Sequence, residues 1–310
     1  MQDTGPDVSR QYRCDAGALG AAKGGEEHVD QDESRAEVMT LEQEARRAID
    51  GDRDALERVV RAIQGDIYGI ALRMLCNRED AEDATQEILV RVVTRLAQFD
   101  FRSKLKTWAY RVAVNYLLDV KKSAAERLHL SFERFAGNLT SGLDREGPAE
   151  TERSLLIEEV KVGCTLAMLQ CLDRPHRAAF VLGEILETPG PEAAEALGIS
   201  PDLFRKRLQQ AREAIVTFLR SYCGLVSDAA PCRCNRKLPS ALEAGMVNAG
   251  CCAYAAAPAS FAEARAMVRQ VEETRWALQV HRSSQPRPAA VDFARRLIDI
   301  LDARSGAAPE

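Results

Sequence analysis

The stretch SKLKTWAYRVAVNYLLDVKK, residues 103–122, decides how the chain is read. At helical spacing Leu105, Trp108, Ala109, Val112, Tyr116, Leu117 and Val120 fall on one side, and Arg111, Asn115, Asp119 and Lys122 on the other. Residues 102–127 hold seven Lys and Arg against Asp119 and Glu126, a local balance of +5 in a chain of net charge -5. A local field opposed to the global one points to a polyanion that touches only part of the molecule. Snorkelling cations on a solvated helix give the same pattern, so the neighbours must decide.

Upstream, REDAEDATQEILVRVVTRL reads as a helix capped by Asn77, with acids in its first turns where the helix dipole favours them. Glu79, Asp80, Glu82, Asp83 and Glu87 give that helix an acidic face. The joint QFDFRS then leads into the basic helix. Helical patterning begins at Met39, a conceivable start site. Residues 1–38 are rich in Gly, Asp, Glu and Ser without periodicity and read as a disordered leader. Downstream, residues 123–150 contain Gly137, Gly142, Gly147 and Pro148 and read as a linker.

A second helical block spans about 151–221. Within it Ala193, Ala194 and Leu197 line a short helix that Gly198 stops, and Ser200 caps the next at Pro201. Leu203, Phe204, Leu208 and Ala211 are expected to face inward, with Arg205, Lys206, Gln209, Gln210 and Arg212 outward. Residues 201–212 carry a local balance of +3. A short helix, a glycine turn and a basic helix make a helix-turn-helix, whose Arg, Lys and Gln side chains can read base edges in a major groove. An ordinary helical hairpin is the alternative. The remainder, 222–310, is a cysteine-rich extension with helical segments near 259–281 and 288–303.

The composition agrees with an all-α chain of two helical domains, a flexible linker and a helical extension. Hydrophobic residues make up 46% of the 310 residues but aromatics only 5%, and no segment alternates like a strand. Nothing resembles a secretory signal, and the longest apolar run, AYAAAPASF, is short and broken by Pro258. A cytoplasmic protein without membrane insertion is expected, so its nine cysteines read as free, metal-bound or redox-active. Cys223, Cys232, Cys234, Cys251 and Cys252 lie close together and offer soft donors to zinc or another soft metal. Cys14, Cys76, Cys164 and Cys171 read as leader or core residues.

Order and spacing supply what the single motifs lack. Residues 51–122, with GDRDALERVV, YGIALRML, DAEDATQEILVRVV, FDFRS and TWAYRVAVN, resemble region 2 of the extracytoplasmic-function (ECF) sigma factors of bacterial RNA polymerase. Residues 164–216, with LDRPHRAAFVLGEI and RLQQAREAI, resemble that family's region 4. The resemblance implies a region 2 domain at 39–122 and a region 4 domain at 151–221, and partners in core polymerase, promoter DNA and an anti-sigma factor. It implies docking on polymerase through Asp80, Asp83, Gln86 and Glu87. It implies reading of the melted -10 element through Asp100, Arg102, Ser103, Arg111 and Asn115, and of the -35 element through Arg205, Lys206, Gln209 and Gln210. No catalytic activity or required cofactor is implied.

This sequence departs from the family pattern in places. Phe101 stands where the joint often has Gly, and Leu105 where Phe is usual. TPGPEAAEAL replaces the usual polar-capped entry to the first helix of the turn motif. Gln209 and Gln210 stand where an aromatic and a base often occur. A conventional helix-turn-helix regulator with a thiol-sensing tail is the competing reading, but it has no use for the acidic helix and the basic pair at 78–122. A thiol enzyme would want a histidine near the cysteines, and none lies between Cys223 and Cys252.

Overall fold

The computed structural model describes residues 39–120, 130–143, 154–248, 254–255, 280–282, 286 and 288–305. The leader, Cys14, Lys121 and Lys122, parts of the linker, Cys251, Cys252 and most of the segment read as helical near 259–281 lie outside the described residues. Eleven α-helices are found among the described residues: α1 Leu41–Ile49, α2 Arg53–Leu75, α3 Arg78–Thr94, α4 Leu105–Asp119, α5 Phe132–Thr140, α6 Ser154–Gln170, α7 Arg174–Phe180, α8 Gly190–Ala196, α9 Pro201–Tyr222, α10 Cys234–Glu243 and α11 Phe293–Ser305. Helix α7 runs on into one π-turn, Val181–Ile185. The class is all-α; the described residues form no strand, and one isolated bridge joins Cys223 and Cys232.

Local chemistry sets the helix ends. Thr40 and Gln43 form a reciprocal capping box on α1. Asn77 accepts from the Asp80 amide at 2.9 Å, and Ser200 accepts from the Leu203 amide at 3.2 Å. Gly198 turns the chain at φ +63°, a conformation open to glycine at little cost. Helix α4 begins at Lys104 without a side-chain cap of its own; the Glu42 carboxylate of α1 accepts from the Leu105 amide at 3.0 Å instead.

Helices α1–α4 form one body, with α2 against α1, α3 and α4. Ile63, Ile67, Ile70, Ile88, Leu89 and Leu117 are fully buried at its centre. Helices α6–α9 form a second, in which Phe180, Phe204, Leu208 and Ile215 are buried. The interval read as a linker contains helix α5, capped by Ser131, whose Phe135 stacks on Phe218 of α9 at 5.4 Å. The two bodies touch: α8 packs on α4, and α6 and α7 pack on α2.

Two expectations about faces need correction. Leu203 points to solvent, because Phe204 and Leu208 already fill the inner face of α9. On α4 the buried set is Leu105, Thr107, Ala109, Tyr110, Ala113, Val114 and Leu117, while Trp108, Val112, Tyr116 and Val120 are half-buried. One apolar stripe suits a helix with one neighbour, and α4 packs against five, chiefly α2, α3 and α8.

Candidate nucleic-acid interface

The joint before α4 turns at Phe101, which adopts φ 60°, a left-handed conformation that costs a non-glycine residue about 1–2 kcal/mol. Its ring lies 4.5 Å from that of Phe99, and the Arg46 guanidinium sits 4.0 Å over it. Those contacts hold the turn where glycine would be the local choice. Asp100 accepts from the Arg102 amide at 3.1 Å and from its guanidinium at 2.7 Å. The backbone hydrogen bond, followed by the side-chain one, keeps the Asp100 carboxyl below its usual range. Trp108 leans on Phe99 at 5.6 Å and belongs to the small cluster of Phe99, Leu96 and Leu105.

Along α4, Lys106 and the Tyr110 hydroxyl both donate to Asp66 of α2, at 2.8 and 2.6 Å. Burial, reinforced by Asp66, pushes the Tyr110 hydroxyl well above its ordinary range, so it stays a donor. Arg111 and Asn115 are exposed one turn apart, with Arg102 exposed and Ser103 half-exposed at the joint. Cations beside a side chain that both donates and accepts can neutralise phosphates and read a base edge.

On α3, Asp80, Asp83 and Glu87 are exposed and Gln86 is half-exposed. The face is less bare than the sequence suggests. Glu82 pairs with Arg78 at 2.9 Å, and Glu87 with Arg91 at 2.9 Å, both at i,i+4 spacing. On α9, Arg205, Lys206, Gln209 and Gln210 are all exposed on one face. Arg205 pairs with Asp202, Gln209 donates to Glu213 at 2.9 Å, and Gln210 lies 3.0 Å from His176.

Asp80, Asp83 and Glu87 are thus exposed on α3, Arg111 and Asn115 on α4, and Arg205, Lys206, Gln209 and Gln210 on α9. Residues 59–127 match the family model for Sigma-70 region 2, and residues 163–215 the one for Sigma-70 region 4. The chain is 30% identical over 188 residues to the ECF RNA polymerase sigma factor SigW of Bacillus subtilis, spanning 59% of this chain and 98% of that one. The chain belongs to the ECF sigma factor family. RNA polymerase sigma factor NccH of Alcaligenes xylosoxydans is 27% identical over 57% of this sigma factor and 93% of its own length. The solved structure of CnrH in complex with the cytosolic domain of CnrY aligns with a TM-score of 0.41 and 22% identity, covering 57% of this chain and 94% of that one.

The match to the region 4 family model ends at residue 215, before the extension. Cys76 and Cys164, both read as leader or core residues, border a cavity of about 330 Å³ together with Cys223, Cys232 and Cys234. Gly224 donates to the Cys232 carbonyl at 3.0 Å, and a Cβ at that glycine would collide with the same oxygen. Burial raises every one of these thiols: Cys76 and Cys232 to about 12, Cys223 above its usual value, Cys164 and Cys234 further still. They are protonated and poorly nucleophilic in this state. Among the described residues no three His, Cys, Asp or Glu are grouped so as to hold a metal ion. No helix among them is long and apolar enough to cross a membrane.

Proposed function

We propose that this sigma factor binds core RNA polymerase through Asp80, Asp83, Gln86 and Glu87, reads the -10 element with Asp100, Arg102, Ser103, Arg111 and Asn115, and reads the -35 element with Arg205, Lys206, Gln209 and Gln210. Residues 39–122 carry the first two tasks, 151–221 the third, and 222–310 regulate. The protein works in the cytoplasm as a specificity subunit without catalysis of its own, and an anti-sigma factor is a further partner. The observation that carries this reading is the exposure of Arg111 and Asn115 on α4 together with Arg205 and Gln209 on α9, inside the two matched sigma regions. A plain helix-turn-helix regulator would have only the second pair.

Transcription with core polymerase on a promoter library tests it. Charge reversal at Asp80, Asp83 and Glu87 should abolish holoenzyme formation while leaving the fold intact, because these side chains face solvent. Unchanged capture by core polymerase would remove the docking assignment.

A narrower proposal concerns Cys164, Cys223, Cys232 and Cys234. Their thiols suit zinc or another soft cation chemically, but they are not gathered for one as they stand. A metal would have to draw thiolates together and release their protons, so its affinity would rise with pH. Metal content of the purified chain, beside that of a Cys232→Ser, Cys234→Ser variant, decides this. A metal-free wild type leaves a buried, reduced thiol core.

A further inference from the structure

Two contact systems hold the region 2 and region 4 bodies together. The first joins the two sigma bodies directly. Glu192 of α8 accepts from Lys104 at 2.7 Å and from Thr107 at 3.3 Å, and Thr107 is buried beneath it. At helical spacing, Thr107 and Arg111 are neighbours on one side of α4. A carboxylate therefore sits at the edge of the DNA-facing strip, on a lysine that would otherwise be available to a phosphate.

The same interface closes at the helix ends. Arg174 of α7 donates to the Leu118 and Val120 carbonyls at 2.8 and 2.7 Å, at the C-terminal end of α4. Arg177, 3% exposed, donates to the Met74 carbonyl near the end of α2 at 2.5 Å and to Leu169 and Leu172 within its own body. Cations at helix C-termini complement both the unpaired carbonyls and the dipole.

The second system is a strap from the extension that spans both bodies. On the region 4 side, Arg282 donates to the Glu184 carbonyl at 2.8 Å and pairs with Glu184 at 3.3 Å and Glu187 at 2.7 Å. His281, 2% exposed, meets the Phe180 ring edge-on at 5.3 Å. On the region 2 side, α11 lies along α2: Phe293 against Tyr68 at 6.3 Å, the Ala294 amide donating to Gln64 at 3.1 Å, Asp292 pairing with Arg61 at 3.1 Å, and Asp302 with Arg53. Pro286, Pro288 and Ala289 line the crevice between α2 and the π-turn.

Distance decides what this means. Helix α8 packs on both α4 and α9, and two helix–helix contacts at roughly 8–10 Å each leave the two DNA-reading helices about 20 Å apart. Elements 25 base pairs apart are separated by about 85 Å along B-DNA at roughly 3.4 Å per pair. No side-chain movement bridges a fourfold mismatch. We infer that the described conformation is an autoinhibited one, in which α8 occupies the flank of the -10-reading helix, residues 280–282 of the extension hold region 4 and α11 of the same extension holds region 2. Promoter recognition requires the α4–α8 interface to part, and the strap sets how readily it does so.

The inference rests on the sigma reading, and its test separates the two. A zero-length carbodiimide should cross-link Lys104 to Glu192 in the free full-length chain, read by mass spectrometry. The cross-link should disappear in the complex with core polymerase and promoter DNA. Arg282→Ala leaves Glu184 paired to Arg212, so it does not orphan the buried carboxylate. It and Phe293→Ala should each lower the cross-link yield several-fold and raise transcription several-fold at limiting sigma concentration. Absence of the cross-link from the free chain, its persistence at full yield on the promoter, or variants that match wild type in both readouts would overturn autoinhibition. A wild-type chain that directs no core-dependent transcription would instead remove the sigma reading, with the variants' cross-link yield still reporting on closure.

Discussion

Helices α4 and α9 look alike in sequence, each a basic amphipathic helix with a polar reading face, yet the molecule treats them differently. Helix α9 buries Phe204, Leu208, Ala211 and Ile215 and leaves Arg205, Lys206, Gln209 and Gln210 open. Helix α4 is hemmed in by α2, α3 and α8, and only a narrow band with Arg111 and Asn115 reaches solvent. The difference teaches that positive charge alone does not mark an available surface. The helix proposed to read the -35 element is exposed as it stands, whereas the one proposed to read the -10 element lies beside a carboxylate supplied by the other body.

The sharpest way to break that comparison is a pair of substitutions read position by position on a promoter library. Asn115→Ala should relax preference at one -10 position by about 1–3 kcal/mol, the range of a good specific base contact, or roughly fivefold to 150-fold. Arg205→Ala should have an effect of the same size confined to the -35 element. If both shift the same promoter position, the two helices do not read separate elements.

Acid should separate the two ends of the strap. Burial, with Arg73 adding to it, lowers His281 to about 3, so the docked state holds it neutral. A group with a depressed docked value contributes stability that is present above the free value near 6.5 and is lost as pH falls toward 3. At pH 5 the loss is about 2 kcal/mol, from 1.5 units at 1.36 kcal/mol each. On the other side Asp292, held below the usual carboxylate range by the Arg295 amide and Arg61, stays ionised there. Hydrogen exchange followed from pH 7 to 5 should show 280–282 losing protection before 293–302. Simultaneous loss would mean that the strap releases as one unit.

What the sequence made legible was local. Asn77, Ser200 and Gly198 announce helix ends because capping and left-handed turns depend on a few adjacent residues. The family match carried the two surfaces for the same reason: each lies on a single helix. What it hid was long-range. Arg177 reads as one more charged residue, but its guanidinium is consumed by three carbonyls from two bodies. Cys164 lies 59 positions before Cys223, so no spacing rule groups them. Helix α5 sits in a glycine-containing interval, and its partners, Phe218 against Phe132 and Phe135 and Lys237 on the Asn138 and Ser141 carbonyls, lie some 80–100 positions away.

The smallest expected effect tests the joint itself. Phe101 departs from the glycine usual in the family, and the left-handed φ explains that preference. Phe101→Gly removes a backbone penalty of about 1–2 kcal/mol but forfeits the stack on Phe99, the Arg46 contact and some apolar burial. It also raises the entropy of the unfolded chain by up to about 1 kcal/mol. The terms oppose one another, so thermal stability should change by less than about 1 kcal/mol. The functional readout should move more, because the freed joint no longer fixes Arg102 and Ser103 before α4. A loss of -10 discrimination without a loss of stability would identify the ring as a device for aiming the joint. A large stability loss with discrimination intact would make it a piece of core. Either result sharpens the contrast with α9, whose approach turns at Gly198 and holds no such strain.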